Sequence, residues 1–204
     1  AVAGAVVPGS AVDIADVYSG PARLGFVAVL QRMGADVTLL PADSGGIATI
    51  RVNAKANPLT ATDVAAAEIP SLDEIPALAV AAAVADGTTV FSDVGELRVK
   101  EVDRLAAVID MVEAFGATAR AEGDTLAITG VGGPLRGARF DSQGDHRMAM
   151  AAAVAALAAA PGERSLITGF GAAATSYPAF ADDLRHLTTS AATTVDQAPR
   201  QLLV

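Results

Sequence analysis

Apolar residues recur along the chain with two different periods, and the alternation between them repeats. Three Ala/Val-rich stretches, Ala1–Val7, Pro76–Asp86 and Met148–Ala160, are apolar nearly all round, which predicts helices buried on every side. Each stops at a glycine or a Pro-Gly pair and runs into a short β-prone segment, Gly9–Ile14, Gly87–Phe91 and Gly162–Ile167. Those three glycines stand 78 and 75 residues apart, so the pattern is an internal repeat. A second, amphipathic helix is expected over Pro21–Met33 and over Glu101–Phe115, where Leu105, Val108, Ile109, Val112 and Phe115 share one face. Both end alike, in Met33-Gly34-Ala35 and Phe115-Gly116-Ala117, with glycine where the chain turns left-handed past a helix.

A β-hairpin follows in both copies, Asp36–Leu40 with Ile47–Val52 and Thr118–Ala121 with Thr125–Thr129. In the third copy the second helix shortens to Pro178–Leu187 and no hairpin is legible; Thr188–Val204 reads as a loosely held tail. The elements predict an α/β domain over residues 1–187, with α-β-α-β-β units at about 1–70, 71–143 and 144–187 and a tail at 188–204. Three such copies favour a pseudo-threefold α/β prism, an inside-out barrel with helices within and sheets outside.

Composition narrows the function classes. At 204 residues, 52% apolar and 18% charged, with a mean hydropathy of +0.43, the chain is the opposite of a disordered one. Its longest apolar stretch, Met148–Pro161, is too short and too Ala-rich for a membrane span. A net charge of −9 argues against nucleic-acid or anionic-lipid partners. The absence of cysteine removes thiolate chemistry, and two histidines leave little for a metal site. A soluble intracellular protein fits best.

Against this background two charged clusters stand out. Asp73-Glu74-Ile75-Pro76 and Asp145-His146-Arg147-Met148 precede two of the inner helices and read as helix N-termini capped by aspartate. Ordinary capping would explain both, but Arg147 in a first helical turn opposes the helix dipole and suggests an anionic ligand. The second cluster runs from Glu96 through Arg98, Lys100, Glu101 and Asp103 to Arg104. Arg98 and Lys100 alternate as on a strand, and Lys100 and Arg104 stand one helical turn apart. Either this is a solvated face with a Glu101/Arg104 pair, or its cations gather with Arg147 around one wet anion pocket.

The same residues resemble a known family, 5-enolpyruvylshikimate-3-phosphate (EPSP) synthase. Arg98-Val-Lys-Glu-Val-Asp-Arg-Leu is similar to its R-V-K-E-[ST]-D-R-[IL] signature, and Gly144-Asp-His-Arg-Met-Ala-Met to its [ND]-D-H-R-[MI]-A-M signature. Val7-Pro-Gly-Ser, Asp73-Glu-Ile-Pro-Ala-Leu-Ala and Ala174-Thr-Ser-Tyr-Pro-Ala-Phe follow in family order. Val102 replaces the usual Ser/Thr, and Thr175 stands where one branch has a lysine. The resemblance covers residues 1 to about 187 and corresponds to the C-terminal half of the enzyme. It implies transfer of the enolpyruvyl group of phosphoenolpyruvate to the 5-hydroxyl of shikimate 3-phosphate, in the cytoplasm and without metal or organic cofactor, with an N-terminal half as the missing partner.

On this resemblance Asp73 would accept the hydroxyl proton and Glu101 would serve proton transfer at the methylene carbon. Arg104 and Arg147 would grip the phosphoenolpyruvate carboxylate, Lys100 and His146 would border the reacting groups, and Glu96 would edge the cleft. Two other readings compete. A transferase acting on UDP-N-acetylglucosamine would bring a cysteine loop that is absent here. A catalytically silent anion-binding or assembly module, or a truncated fragment, would bind without turnover.

Overall fold

The computed structural model describes residues 1–20, 23–41, 46–188 and 201–203. Among these, helices α1 (Val2–Val6), α3 (Ile75–Val84) and α5 (His146–Leu157) pack against one another at the centre. In α3 Ala79 to Val84 are buried in an unbroken run, as the all-round apolar pattern requires, because small alanine faces let three backbones approach closely. Among the described residues no helix is long and apolar enough to cross a membrane.

Three sheets surround these helices. Strands β1 (Ala11–Tyr18), β2 (Asp36–Pro41) and β3 (Ile47–Asn53) form the first, in the order β1-β3-β2. In the second, β4 (Asp63–Ala65), β5 (Thr88–Ser92), β6 (Thr118–Glu122) and β7 (Thr125–Thr129) are ordered β4-β5-β7-β6. The third holds β8 (Arg139–Asp141), β9 (Leu166–Thr168) and β10 (Gln201–Leu203), ordered β8-β9-β10. Period-2 alternation turns Ala48, Ile50 and Val52 of β3, and Leu126 and Ile128 of β7, into the core.

The outer helices α2 (Gly25–Arg32), α4 (Arg104–Ala114) and α6 (Phe180–Leu187) complete the repeats. Gly34 (φ +90°) and Gly116 (φ +107°) close α2 and α4 in the same way. The Ala35 and Ala117 amides donate back to the Leu30 and Val112 carbonyls, and the two glycine amides to Gln31 and Glu113, a Schellman pattern in both.

The repeat differs from the α-β-α-β-β expectation in two respects. Strands β4 and β8, which the sequence reading missed, precede α3 and α5 and pair in parallel with β5 and β9, so the second and third units each open with a strand. The tail reading of Thr188–Val204 also needs correction. Residues 189–200 and 204 lie outside the described residues, but β10 pairs antiparallel with β9, as β3 does with β1 and β7 with β5. The third unit thus recovers its return strand from distant chain, since backbone groups on an open edge are satisfied by any strand that reaches them. The first hairpin's turn, 42–45, and the expected start of α2 at 21–22 are also outside the described residues.

Candidate functional site

The charged clusters meet at the N-terminal ends of α3, α4 and α5. Asp145 is the N-cap of α5 as expected, its Oδ1 accepting from the Arg147 amide at 2.7 Å and the Met148 amide at 3.1 Å. Asp73 is not a cap. It sits in a one-turn 3-10 segment, Leu72–Glu74, with Glu74 at the N-cap position of α3 and making no capping bond. Pro76 in the first turn needs no amide partner, so the Asp73 carboxylate is free to turn elsewhere.

It turns to two arginines. Arg104 Nη1 donates to Asp73 Oδ1 at 2.9 Å, and Arg147 Nη2 lies 3.1 Å from Oδ2, while Arg147 Nη1 donates to the Asp73 carbonyl at 3.2 Å. Arg104 is wholly buried, at 0% exposure. Its Nε and Nη2 reach Asp145 Oδ2 at 3.0 and 2.9 Å, and Nη2 also pairs with Glu101. The planar fork of a guanidinium lets one side chain hold three carboxylates while placing two N–H groups on Asp145 at once, which the single nitrogen of a lysine could not do.

Arg104 and Arg147 thus meet as expected, on Asp73, but Arg104 is buried and not in a wet pocket, and Lys100 stands apart from them in the cleft beside Asp73. Asp103 caps α4, accepting from the Ala106 amide at 3.0 Å, so the helix starts at Arg104 and not at Glu101. Gly95–Val99 is a 3-10 segment, not a strand, because Leu97 is drawn into the core. Lys100 consequently lies off the helix and pairs with Glu96, while Arg104 points inward. The Glu101/Arg104 pair is present, but as a bond from the loop to a buried guanidinium and not along a solvated helical face. His146 opens α5 half-buried and has no side-chain hydrogen bond or ion pair among the described residues. Thr175 donates to the Ala172 carbonyl at 2.8 Å.

Beside the network lies a cleft of about 410 Å³ lined by Asp73, Glu96 and Lys100, together with Ser71 and Arg23. Arg23 was missed in the sequence, where it reads only as part of an outer helix; nothing local marks a residue whose cleft is formed by another repeat. Glu74 holds its proton more tightly than usual, first because burial disfavours its charged form and then because Asp73 is near; Arg147 and Arg23 oppose the shift. A carboxyl pKa raised by folding contributes its stability below the ordinary range and loses it as pH rises through the raised value. Glu74→Gln should therefore unfold at higher urea than the parent at about pH 7, with the gap closing at about pH 4. Equal gaps at both pH values would contradict this.

Comparison with solved structures defines the class. The fold matches EPSP synthase from Acinetobacter baumannii with a TM-score of 0.82 at 30% identity, covering 91% of this chain and 43% of that one. The enolpyruvyl transferase NikO from Streptomyces tendae, at 22% identity and a TM-score of 0.69, shares the fold. This is the α/β prism of the enolpyruvyl transferases. Within that class, the EPSP synthase (3-phosphoshikimate 1-carboxyvinyltransferase) family profile matches residues 1–184, and the chain belongs to that family. The 3-phosphoshikimate 1-carboxyvinyltransferase of Synechococcus sp. (strain RCC307) is 44% identical over 191 residues, and that of Desulforamulus reducens 43% over 188. These alignments take in 93% and 91% of this chain, which spans only 43% of the length of either relative.

Proposed function

We propose that this chain forms one part of an enolpyruvyl transferase that moves the enolpyruvyl group of phosphoenolpyruvate onto the 5-hydroxyl of shikimate 3-phosphate and releases phosphate. The observation that carries the reading is the meeting of Arg104 and Arg147, from two repeats, on the two oxygens of Asp73. Two guanidinium groups that grip one carboxylate in this way suit the planar carboxylate of phosphoenolpyruvate. A substrate carboxylate that takes over those donors also frees the Asp73 oxygens to receive the hydroxyl proton. Glu101, exposed at 53% and bonded to the same Arg104, is the partner most readily displaced, and stands ready for proton transfer at the methylene carbon. In this reading Lys100 and Glu96 line the approach to the hydroxyl, and His146 borders the reacting groups from the start of α5. The stretch of the relatives' length that this chain does not span, an N-terminal half, would supply the opposing wall of the site, and a cytoplasmic setting goes with the reaction.

Titration of the chain with phosphoenolpyruvate, followed by NMR, tests the reading. Binding should be on the order of millimolar, since the cleft is open and part of the interaction energy is consumed by association and by displacing Glu101. Arg147→Ala should abolish it. Arg120→Ala, on the outer strand β6, should leave it unchanged. Shifts that cluster around Arg120 and spare α4 and α5 would overturn the assignment.

A further inference from the structure

Each of the other cations at this site has a carboxylate partner. Arg104 is held by Asp73, Asp145 and Glu101, Arg147 by Asp73, and Lys100 by Glu96. Arg23 is the exception: exposed at the rim of the cleft, it makes no side-chain hydrogen bond or ion pair among the described residues and acts on Glu74 only through longer-range electrostatics, although Asp73 and Glu96 line the same space. It reaches the cleft from the first repeat, just ahead of α2, whereas Ser71, Asp73, Glu96 and Lys100 all come from the second. Ser71, half-buried at the start of the turn before α3, offers a hydroxyl that makes no capping bond. Lys100 is mostly covered, and its partner Glu96 is 64% exposed and easily displaced.

A guanidinium with no ion pair, an ammonium with an exposed partner and a hydroxyl with no capping bond line about 410 Å³ in which the carboxylates, Asp73 and Glu96, are already held by Arg104, Arg147 and Lys100, so donors outnumber free acceptors. Their combined charge and number fit a tetrahedral dianion better than a planar monoanion. We infer that Arg23 is a substrate-binding residue that, with Lys100 and Ser71, holds a phosphoryl group in this cleft. The inference rests on the proposed function for the identity of the ligand, since both substrates and the released product carry phosphate, but not on the roles of Arg104 and Arg147.

The test uses the 204-residue chain and two simple probes, inorganic phosphate, which has no carboxylate, and pyruvate, which has no phosphate. Arg23→Ala should weaken inorganic phosphate about five- to tenfold and leave pyruvate unchanged. Arg23→Lys should recover part of the phosphate affinity. Arg147→Ala should show the opposite selectivity. Repeating the Arg23→Ala comparison with phosphoenolpyruvate and with shikimate 3-phosphate identifies the source, the larger loss marking the molecule whose phosphoryl group sits there. Phosphate affinity equal in Arg23→Ala and the parent overturns the inference, whatever pyruvate does. Pyruvate binding that survives Arg147→Ala instead overturns the carboxylate site and leaves the Arg23 result standing.

Discussion

Arg104→Ala should destabilise the chain by about 3–5 kcal/mol, a large share of the roughly 5–15 kcal/mol that holds a typical domain. The cost comes from what the arginine leaves behind. Asp145 is also at 0% exposure, and without the guanidinium its charge would be met only by the amides of Arg147 and Met148. A buried carboxylate stripped of its counter-ion is far more costly than an exposed pair undone. Urea unfolding should show a lower midpoint with an unchanged slope, since the surface exposed on unfolding is the same. Combining Arg104→Ala with Asp145→Asn should recover part of the loss, because the two residues are coupled directly, through both Nε and Nη2. A loss under about 1 kcal/mol would mean that water reaches the network and that Arg104 is not the hub of the site.

Enolpyruvyl transfer by the 204-residue chain alone should be slower than by a full-length relative by a factor on the order of 10⁵ or more. Holding two substrates and the catalytic groups in reacting geometry is worth about 7–11 kcal/mol of a barrier, and an open cleft also admits water. The chain spans 43% of the length of the Synechococcus relative, and the cleft beside Asp73 is not enclosed. Phosphate release from phosphoenolpyruvate and shikimate 3-phosphate measures the effect, and adding the complementary part of a relative in trans should restore turnover. Turnover by the chain alone near that of a full-length relative would overturn the proposed division of the site. Binding of both substrates with no turnover even after complementation would favour a silent anion-binding module.

Much of the architecture could be read from local patterns. The matched endings at Gly34 and Gly116 are covalent requirements of the backbone, so they are visible wherever helix, glycine and strand follow in order. Both hairpins were placed within a residue or two because alternation and turn chemistry are local. Strands β4 and β8 were not, since three residues hold too little periodicity, and each pairs with a strand on the far side of a helix. The two aspartates show the limit most plainly. Asp73 and Asp145 occupy like positions before like helices, yet only Asp145 caps, because Pro76 and the approach of Arg104 and Arg147 decide where Asp73 points.

The sequence by itself determined the repeat, the buried helices and the set of charged residues from which the site is made, because composition and periodicity act along the chain and need no neighbour. Only the tertiary structure decided how those charges are used: that Arg104 is buried and shared among three carboxylates, that Lys100 leaves the helix for Glu96, and that Arg23 enters the cleft from another repeat. Charge pairing depends on distance and on exclusion of water, and both are set when separate repeats close around one axis.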